Sequence, residues 1–416
     1  MNFELQPRSE AGHRFVTLAE EYASIFAASS DQHDRENSFA AKNIVALRKS
    51  GLAGATVPVE LGGLGVERLG DYAAGINRLG RGDGSTALAA NMHIFLTWFV
   101  AREWRRARAN DDRQRTVQWE KLLRDIAAGR TIISALATEP GHDQLHLVTE
   151  ATRATDGWLM SGRKGFATGS AAADILVVMS RYRSDSGEWR SAAAYVRADS
   201  QGVANTHNWD ALGMRGSGSH DVVIKDCLVA DVDFFDVGPW GTYNEDFLAG
   251  NFVGTLGLVA VFLGIAEAAR DIILQVLQGR RSAANRKAAI ERPAIHHTVA
   301  EIEIDLTASR AMLERTGTMM DAFFAAQAPT GSLPMQEMHE VMKDFQCTKW
   351  FVTRKAIETV DRALTLSGGS GYMSQSPLSR LYRDVRAGPF MQPFSPLEAF
   401  EYIGKVTLGV DPKVDQ

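Results

Sequence analysis

The spacing of apolar residues divides the chain into three parts. In the first part, apolar positions recur every three or four residues, as at Phe15, Leu18 and Tyr22. This is the period of an amphipathic helix. A proline and several glycines between 57 and 65 interrupt the pattern, because these residues do not continue a helix. The pattern predicts an N-terminal α-helical domain over residues 1–130.

From about residue 131 the period changes to short β-rich runs separated by Gly, Asp, Asn and Ser. These runs lie at 131–137, 158–161, 175–179, 192–196 and 221–224. Short strands without intervening helices are typical of a small barrel or sandwich and argue against a doubly wound sheet. We therefore expect a central β-barrel domain over residues 131–243.

From residue 244 onward the helical period returns in longer segments. They cover about 247–279, 294–327, 335–366 and 396–407, with a Pro- and Gly-containing linker at 327–334. Long helices joined by short connections predict a four-helix bundle. We assign it to residues 244–416. The fold class is therefore α+β and mostly α, in the order helices, strands, helical bundle.

One segment is apolar enough to be weighed as a membrane span. Residues 247–266 carry no charge, and Gly250 and Gly254 form a GxxxG pair of the kind found between membrane helices. Asn251 and the four glycines of this segment argue against a span. A helix buried on all sides of a large helical domain explains the pattern better, so no membrane span is expected.

The bulk composition narrows the class of partners. The net charge of −5 gives no electrostatic reason to expect a nucleic acid or an anionic membrane as partner. The two cysteines, Cys227 and Cys347, are far apart and do not form a disulfide framework. The first residues lack the basic-then-apolar order of a signal peptide. These features predict a cytoplasmic protein.

Familiar catalytic and metal motifs do not explain the sequence. No G-x-G-x-x-G opens a helix after a strand, and no phosphate-binding G-x-x-x-x-G-K-[ST] is present. His142 and His146 lie near a turn without a third strong ligand, so we predict no metal site.

Five short motifs follow one another along the chain. They are Thr-Glu-Pro-Gly at 138–141, Gly-Arg-Lys-Gly-Phe-Ala-Thr-Gly at 162–169, the Trp-Asp-Ala-Leu-Gly-Met-Arg stretch from 209, Leu-Ser-Gly-Gly-Ser-Gly-Tyr at 366–372 and Arg-Asp-Val-Arg at 383–386. Each motif is weak alone, but their order is specific. Over about residues 10–408 the chain resembles the acyl-CoA dehydrogenase superfamily, which includes related two-component flavin monooxygenases.

This resemblance implies a flavin held between the β-domain and the helical bundle. The cofactor would be FAD, or FMN if the chain is a two-component monooxygenase, and the protein would be a homotetramer. Phe166 would stack on the flavin ring, and Thr168 would donate toward its N5 side, where charge builds on reduction. The implied cofactor-binding residues are Thr138, Gly141, Phe166, Thr168, Gly368, Gly369 and Gly371. The glycines would let backbone approach the cofactor of a neighbouring subunit.

The position of the family's catalytic base differs in this chain. The glutamate that removes the substrate α-proton usually follows the Arg-Asp motif by nine positions, which here is Gln392. An amide does not accept that proton at neutral pH. In a minority of the family the glutamate comes from the first bundle helix, and the matching region near Gly254 and Thr255 has no carboxylate.

Four further residues are assigned to the site on the resemblance. His93 is a candidate catalytic residue, with a core histidine as the alternative. His142, Met391 and Phe394 are candidate substrate-binding residues.

The chain departs from the family at two cofactor contacts. Residues 142–145 read His-Asp-Gln-Leu where a small residue and Gly-Ser-Asp are usual, and 282–286 replace the usual Arg-x-x-Phe-Gly. The expected contacts to the pyrophosphate and to the partner subunit's cofactor are therefore changed.

Three functions remain open. The leading hypothesis is a divergent acyl-CoA dehydrogenase or oxidase that acts on an acyl thioester, transfers hydride to FAD and has electron-transfer flavoprotein as a partner. The second is a two-component monooxygenase for an aromatic, amine or sulfur substrate, supplied by a flavin reductase, although the histidine usual in that branch is replaced near Met391. The third is a catalytically silent structural subunit.

Overall fold

A computed structural model describes residues 4–281, 288–326 and 334–412. The N-terminal part contains helices α1 (Glu10–Glu36), α2 (Ala41–Ser50), α3 (Leu69–Gly82), α4 (Gly84–Ala109) and α5 (Arg113–Ala127). Local sequence sets their ends. The Asp83 side chain accepts from the Thr86 amide and so caps the start of α4. The predicted helical N-terminal part is confirmed.

The central part is one eight-stranded sheet. Its strands are β1 (Ile133–Leu136), β2 (Glu150–Ala154), β3 (Gly157–Ala167), β4 (Ile175–Arg183), β5 (Trp189–Arg197), β6 (Val203–Asn205), β7 (His220–Val229) and β8 (Phe234–Pro239). The order is β6-β7-β3-β2-β4-β5-β8, and β1 pairs with β4 in parallel. Each of the five predicted runs contains part of a strand.

The two faces of the sheet pack against different partners. Along β4, Val178 points into the core of the β-domain, whereas its neighbour Val177 packs with the helical residues of α4 and α5. Alternate side chains of a strand point to opposite faces, so this pattern is expected for a sheet covered on both sides. Trp119 of α5 stacks on Phe235 of β8, with ring centroids 5.0 Å apart. The β-domain is thereby packed against the N-terminal helices.

The C-terminal part contains the four predicted long helices. They are α6 (Glu245–Gly279), α7 (Pro293–Ala326), α8 (Met335–Ser367) and α11 (Pro396–Thr407), with the short helices α9 (Gly369–Tyr372) and α10 (Pro377–Val385) before α11. The predicted fold class is confirmed. Apart from Pro334, the linker predicted at 327–334 lies outside the described residues, as does the sequence departure at 282–286.

Helix α6 is the apolar segment weighed above as a membrane span. It is long and apolar enough to cross a bilayer, and its apolar window is completely buried inside the protein. At Gly257 a side chain would collide with Asn91 and Tyr72, so the glycine lets α3 and α4 approach closely. Asn91 Nδ2 also donates to the Gly254 carbonyl at 2.9 Å. The small residues of α6 therefore serve packing within this protein.

We expect Gly257→Ala to lower the free energy of unfolding by about 1–3 kcal/mol, because an added methyl group overpacks this contact. Gly250→Ala is the matched control, since nothing lies within 4 Å of a side chain placed there. Thermal unfolding of both variants followed by circular dichroism tests this. Equal midpoints for the two variants would show that α6 does not need the close approach at Gly257.

Candidate functional site

Backbone hydrogen bonds join three of the sequence motifs at one end of the β-domain. Thr138 follows strand β1, and its carbonyl accepts from the Gly165 amide at 3.0 Å. Gly169, just after β3, donates to the Ser217 carbonyl at 3.1 Å. The motifs at 138–141, at 162–169 and from 209 are therefore adjacent in space.

A fourth motif, in α10, meets the same loop from the helical bundle. The Met214 amide donates to Asp384 Oδ1 at 2.6 Å. A side chain at Gly213 would collide with the Arg383 backbone, so the two segments are in direct contact. Burial raises the pKa of Asp384 to about 6, although the charge of Arg380 acts to lower it. The Arg-Asp motif thus holds the β-domain loop against the bundle.

Two features of this junction fit a planar aromatic ligand with a polar edge. The Phe166 side chain is 65% exposed, at a backbone φ of 52°, a conformation that non-glycine residues rarely adopt. Its ring makes a T-shaped contact with Trp209 at 5.7 Å and leaves an aromatic surface uncovered. Nearby, Thr168 Oγ1 lies 2.9 Å from Ser219 Oγ, which lies 2.7 Å from Ser217 Oγ. These residues would suit the isoalloxazine ring of a flavin.

A buried ion pair fixes the loop that follows β1. Glu139 Oε1 lies 2.5 Å from Lys164 Nζ, and both side chains are inaccessible to solvent. The carboxylate also accepts from the amides of Val148 and Thr149, at 2.5 and 2.9 Å. Burial acts to raise the pKa of Glu139, but Lys164 and these hydrogen bonds outweigh it, so the pKa lies below its usual value. The motif's glutamate is therefore a structural residue.

The two positions at which the resemblance places the family's glutamate meet in space. Thr255 Oγ1, in α6, donates to the carbonyl of the half-buried Gln392 at 2.9 Å. Neither residue carries an acid. Glu398 is exposed and accepts from the Ser395 amide in the capping box of α11, and Glu401 is exposed on the same helix. Both acids near Gln392 in sequence are exposed, and both line the cleft that opens beside this segment.

A cleft of about 90 Å³ opens beside this segment. Its walls come from the 143–145 loop, the start of α6 and residues 393–402, and include Tyr243, Phe394 and Tyr402. The rings of Phe394 and Tyr402 stack at 4.7 Å. The cleft therefore offers an aromatic surface at the junction of the β-domain and the bundle.

The three predicted substrate-binding residues lie in different surroundings. Phe394 lines the cleft. His142 is exposed and immediately precedes the loop that forms a cleft wall, and Gly141 beside it is exposed as well. Met391 instead packs, partly buried, against the helical core. A substrate contact by Met391 has the weakest geometric support of the three.

His93 is a core histidine, which was the alternative to a catalytic role. It is fully buried in α4, its Nε2 lies 3.0 Å from the Ala53 carbonyl, and its Nδ1 accepts from the Ile133 amide at 3.1 Å. Both ring nitrogens are therefore used by backbone, and neither is free for a substrate. Burial is the main cause that lowers the pKa of His93 to about 4, so the ring is neutral at pH 7.

This histidine predicts a pH dependence of stability. Its pKa in the folded protein, about 4, lies below the value of about 6.5 expected in the unfolded chain. The unfolded state therefore binds the proton more readily, and the folded state loses up to about 3 kcal/mol as the pH falls from 6.5 to 4. We expect the stability difference between pH 7 and pH 5, measured by urea unfolding, to shrink in His93→Gln. The exposed His13→Gln should leave that difference unchanged, and a similar slope in both variants would contradict the assignment.

Lys349 is a buried residue that sequence reasoning missed. Its Nζ donates to the carbonyls of Met391 and Phe394, the latter at 2.6 Å. The signal that could have found it is its spacing, because Lys349 falls on the buried stripe of α8 that includes Phe345 and Val352. A charge on an apolar stripe needs a specific partner.

The glycine cluster forms the end of α8. Gly368 has a φ of 66°, and its amide donates to the Thr365 carbonyl, as expected of a glycine that ends a helix. Gly369 has open space where a side chain would stand, whereas a side chain at Gly371 would collide with Ser367. Contact between this cluster and a neighbouring subunit's cofactor remains a prediction.

Metal binding has no support in the described ranges. Among residues 4–281, 288–326 and 334–412, no group of three His, Cys, Asp or Glu side chains could hold an ion.

Comparison with family models gives matches along most of the chain. The N-terminal domain of acyl-CoA dehydrogenase matches residues 10–127, the middle domain residues 134–227 and the C-terminal domain residues 256–394.

Individual relatives are similar over nearly their whole length. L-evernosamine nitrososynthase of a Micromonospora species is 35% identical, over 97% of this chain and 92% of that protein. Amino sugar nitrososynthase DnmZ of Streptomyces peucetius is also 35% identical, over 97% of this chain and 95% of that protein. The solved structure of KijD3 with FMN and dTDP-3-amino-2,3,6-trideoxy-4-keto-3-methyl-D-glucose superposes with a TM-score of 0.89 at 33% identity, covering 98% of this chain and 96% of that chain.

Proposed function

The chain belongs to the acyl-CoA dehydrogenase family, and we propose that within this family it is a flavin-dependent monooxygenase that oxidises the amine nitrogen of an amino sugar. The relatives that share 33–35% identity over nearly the full chain include nitrososynthases of amino sugars. KijD3, at 33% identity, binds a nucleotide-linked amino sugar together with FMN. A dTDP-linked amino sugar is therefore the proposed substrate class.

The observation that carries this proposal is that Thr255 and Gln392, which lie in contact, both have neutral side chains. Dehydrogenation of an acyl thioester needs a base for the α-proton, and both of the family's positions for that base carry neutral side chains here. Oxygenation of an amine needs no carbon acid to be deprotonated, because the nitrogen lone pair is the nucleophile. The loss of the acid therefore argues against the acyl-thioester hypothesis and is compatible with the amine-oxidising one.

The flavin would lie at the end of the β-domain. Phe166 would cover one face of the ring, while Thr168 and Ser219 would bond its polar edge. When bound and reduced, the flavin, FMN or FAD, supplies the electrons that activate dioxygen for transfer to nitrogen. A separate flavin reductase is the proposed source of those electrons, and the homotetramer also remains a proposal.

Position 392 itself adds no charge to the proposed substrate site, and the acids of the cleft wall are Asp143, Glu398 and Glu401. Gln392 has no charge with which to hold an ammonium ion, so the amine keeps its lone pair at lower pH than it would with a carboxylate at that position. The aromatic walls of the cleft, Phe394 and Tyr402, would cover the apolar face of a deoxysugar and exclude water.

The proposal is tested by comparing two substrates. The protein is mixed with reduced FMN or FAD, dioxygen and a dTDP-3-amino-deoxysugar, and the products are analysed by mass spectrometry. We expect hydroxylamine and nitroso products that require both the protein and dioxygen. A parallel anaerobic sample of oxidised holoprotein with an acyl-CoA panel should show no bleaching of the flavin.

Two outcomes would reject the proposal. Bleaching by an acyl-CoA without amine oxidation would restore the dehydrogenase hypothesis. A protein that binds neither FMN nor FAD would favour the silent structural subunit.

A further inference from the structure

Lys349 places a buried side-chain nitrogen behind the segment that carries Gln392. The Lys349 side chain is only 3% exposed, and its hydrogen bonds go to the carbonyls of Met391 and Phe394. These carbonyls belong to the residues one position before and two positions after Gln392. The lysine thus holds the backbone on both sides of that residue.

Burying Lys349 in this way opposes folding, so the side chain must have a role that offsets the loss of stability. Burying a charge without a bonded counterion opposes folding, and burial lowers the pKa of Lys349 to about 7, while Glu398 acts in the opposite direction. The segment from Met391 to Ser395 belongs to no helix or strand, so its carbonyls lack regular partners. An apolar side chain at 349 would leave two of them unsatisfied.

We propose that Lys349 is a positioning residue for the oxygenation reaction, whose side-chain nitrogen fixes the backbone around Gln392 and so sets where the Gln392 amide meets the substrate. This inference rests on the proposed function. Three carbonyls in a stretch of four residues are held in this way. Lys349 of α8 binds those of Met391 and Phe394, and Thr255 of α6 binds that of Gln392.

Fixing the backbone from two helices has a consequence for the rate. With its carbonyl and its neighbours held, Gln392 retains mainly side-chain freedom. A displacement of about 1 Å at a reacting centre can lower a rate on the order of 100-fold. Loss of the lysine should therefore affect turnover more than substrate or flavin binding.

The test compares Lys349→Met, which keeps the length of the side chain but not its donors, with Lys343→Met. Lys343 lies on the same helix and pairs with Glu340 near the surface. For each protein, kcat per flavin-loaded site, KM for the dTDP-amino sugar and the flavin Kd are measured. We expect kcat of Lys349→Met to fall on the order of 10- to 100-fold, with KM and flavin Kd within about threefold of wild type, and no change in Lys343→Met.

A kcat for Lys349→Met within twofold of wild type would overturn the inference, as would an equal loss in Lys343→Met. If Lys349→Met does not fold, Thr255→Val removes the other backbone donor, and the same preferential loss of kcat is expected. Unchanged kcat in Thr255→Val would then reject the positioning role.

An inactive wild-type protein would signal failure of the proposed function instead. In that case hydrogen exchange of the backbone amides of residues 391, 392, 394 and 395 decides the positioning role. Exchange at least tenfold faster in Lys349→Met than in Lys343→Met is expected, and equal exchange would overturn it. If Lys349→Met does not fold, the same comparison is made with Thr255→Val.

Discussion

Replacing Lys164 by methionine is expected to lower the free energy of unfolding by about 3–5 kcal/mol. The change leaves the Glu139 carboxylate buried without its cation, and the amides of Val148 and Thr149 compensate only in part. Because Thr138 and Gly165 lie beside this pair in sequence and bond to each other, we also expect weaker flavin binding. Urea unfolding and flavin fluorescence titration measure the two effects.

The effect is distinguished from general surface damage by two further variants. Lys225→Met changes an exposed lysine on the adjacent strand β7 and should be nearly neutral. The double variant Lys164→Met with Glu139→Gln should recover much of the lost stability, because no charge is then left buried and unpaired. If Lys164→Met lowers the free energy of unfolding no more than Lys225→Met does, the ion pair does not hold this loop.

Replacing Gln392 by glutamate is expected to lower amine oxidation at neutral pH by about 10-fold or more. A carboxylate beside the bound amine would stabilise its ammonium form and raise the amine pKa by about 1–3 units. The neutral fraction with an available lone pair would fall accordingly. Steady-state rates between pH 6 and 9 should show the variant recovering as the pH rises.

Gln392→Met is the matched control, because it removes the amide without adding a charge. We expect its pH profile to keep the wild-type shape even if its rate is lower. Acyl-CoA dehydrogenase activity gained by Gln392→Glu, with amine oxidation absent from wild type, would instead support the acyl-thioester hypothesis.

The long elements of the fold follow from periodicity, and the short ones do not. Helices α6 and α8 carry uninterrupted apolar patterns over more than eight turns, so packing and sequence indicate the same structure. Strand β2, with the sequence Glu-Ala-Thr-Arg-Ala, and strand β6, with three residues, have no apolar run to mark them. Their pairing with β3 and β7 creates these strands, and that contact is set by the tertiary fold.

Some features of the site could likewise be predicted from the sequence, and others could not. The resemblance assigned Thr138, Phe166 and Thr168 to one cofactor site, and backbone hydrogen bonds bring the motifs that contain them next to each other and to the loop from 209. The role of Lys349 could not be read from a motif, because its partners are carbonyls distant in sequence. His93 had two readings, and only the positions of the Ala53 and Ile133 backbone groups favour one of them.

The sequence alone did not decide the chemistry. Dehydrogenases and monooxygenases of this fold share the helices, the β-domain and the motifs, so those features left both functions open. Gln392 was a local departure, and Thr255, which contacts its carbonyl, carries no acid either, but these two residues alone did not separate the functions. Within the Thr-Glu-Pro-Gly motif, Glu139 pairs with Lys164 and serves the structure of the loop, so it does not replace the missing base.

The most direct test of amine oxygenation is the origin of the oxygen in the product. The protein, reduced flavin and a dTDP-amino sugar are incubated under isotopically heavy dioxygen in ordinary water, and the hydroxylamine formed is analysed by mass spectrometry. We predict that the new oxygen atom carries the heavy isotope. A product with oxygen from water, or flavin reduction by an acyl-CoA with no oxygenated amine, would contradict the account.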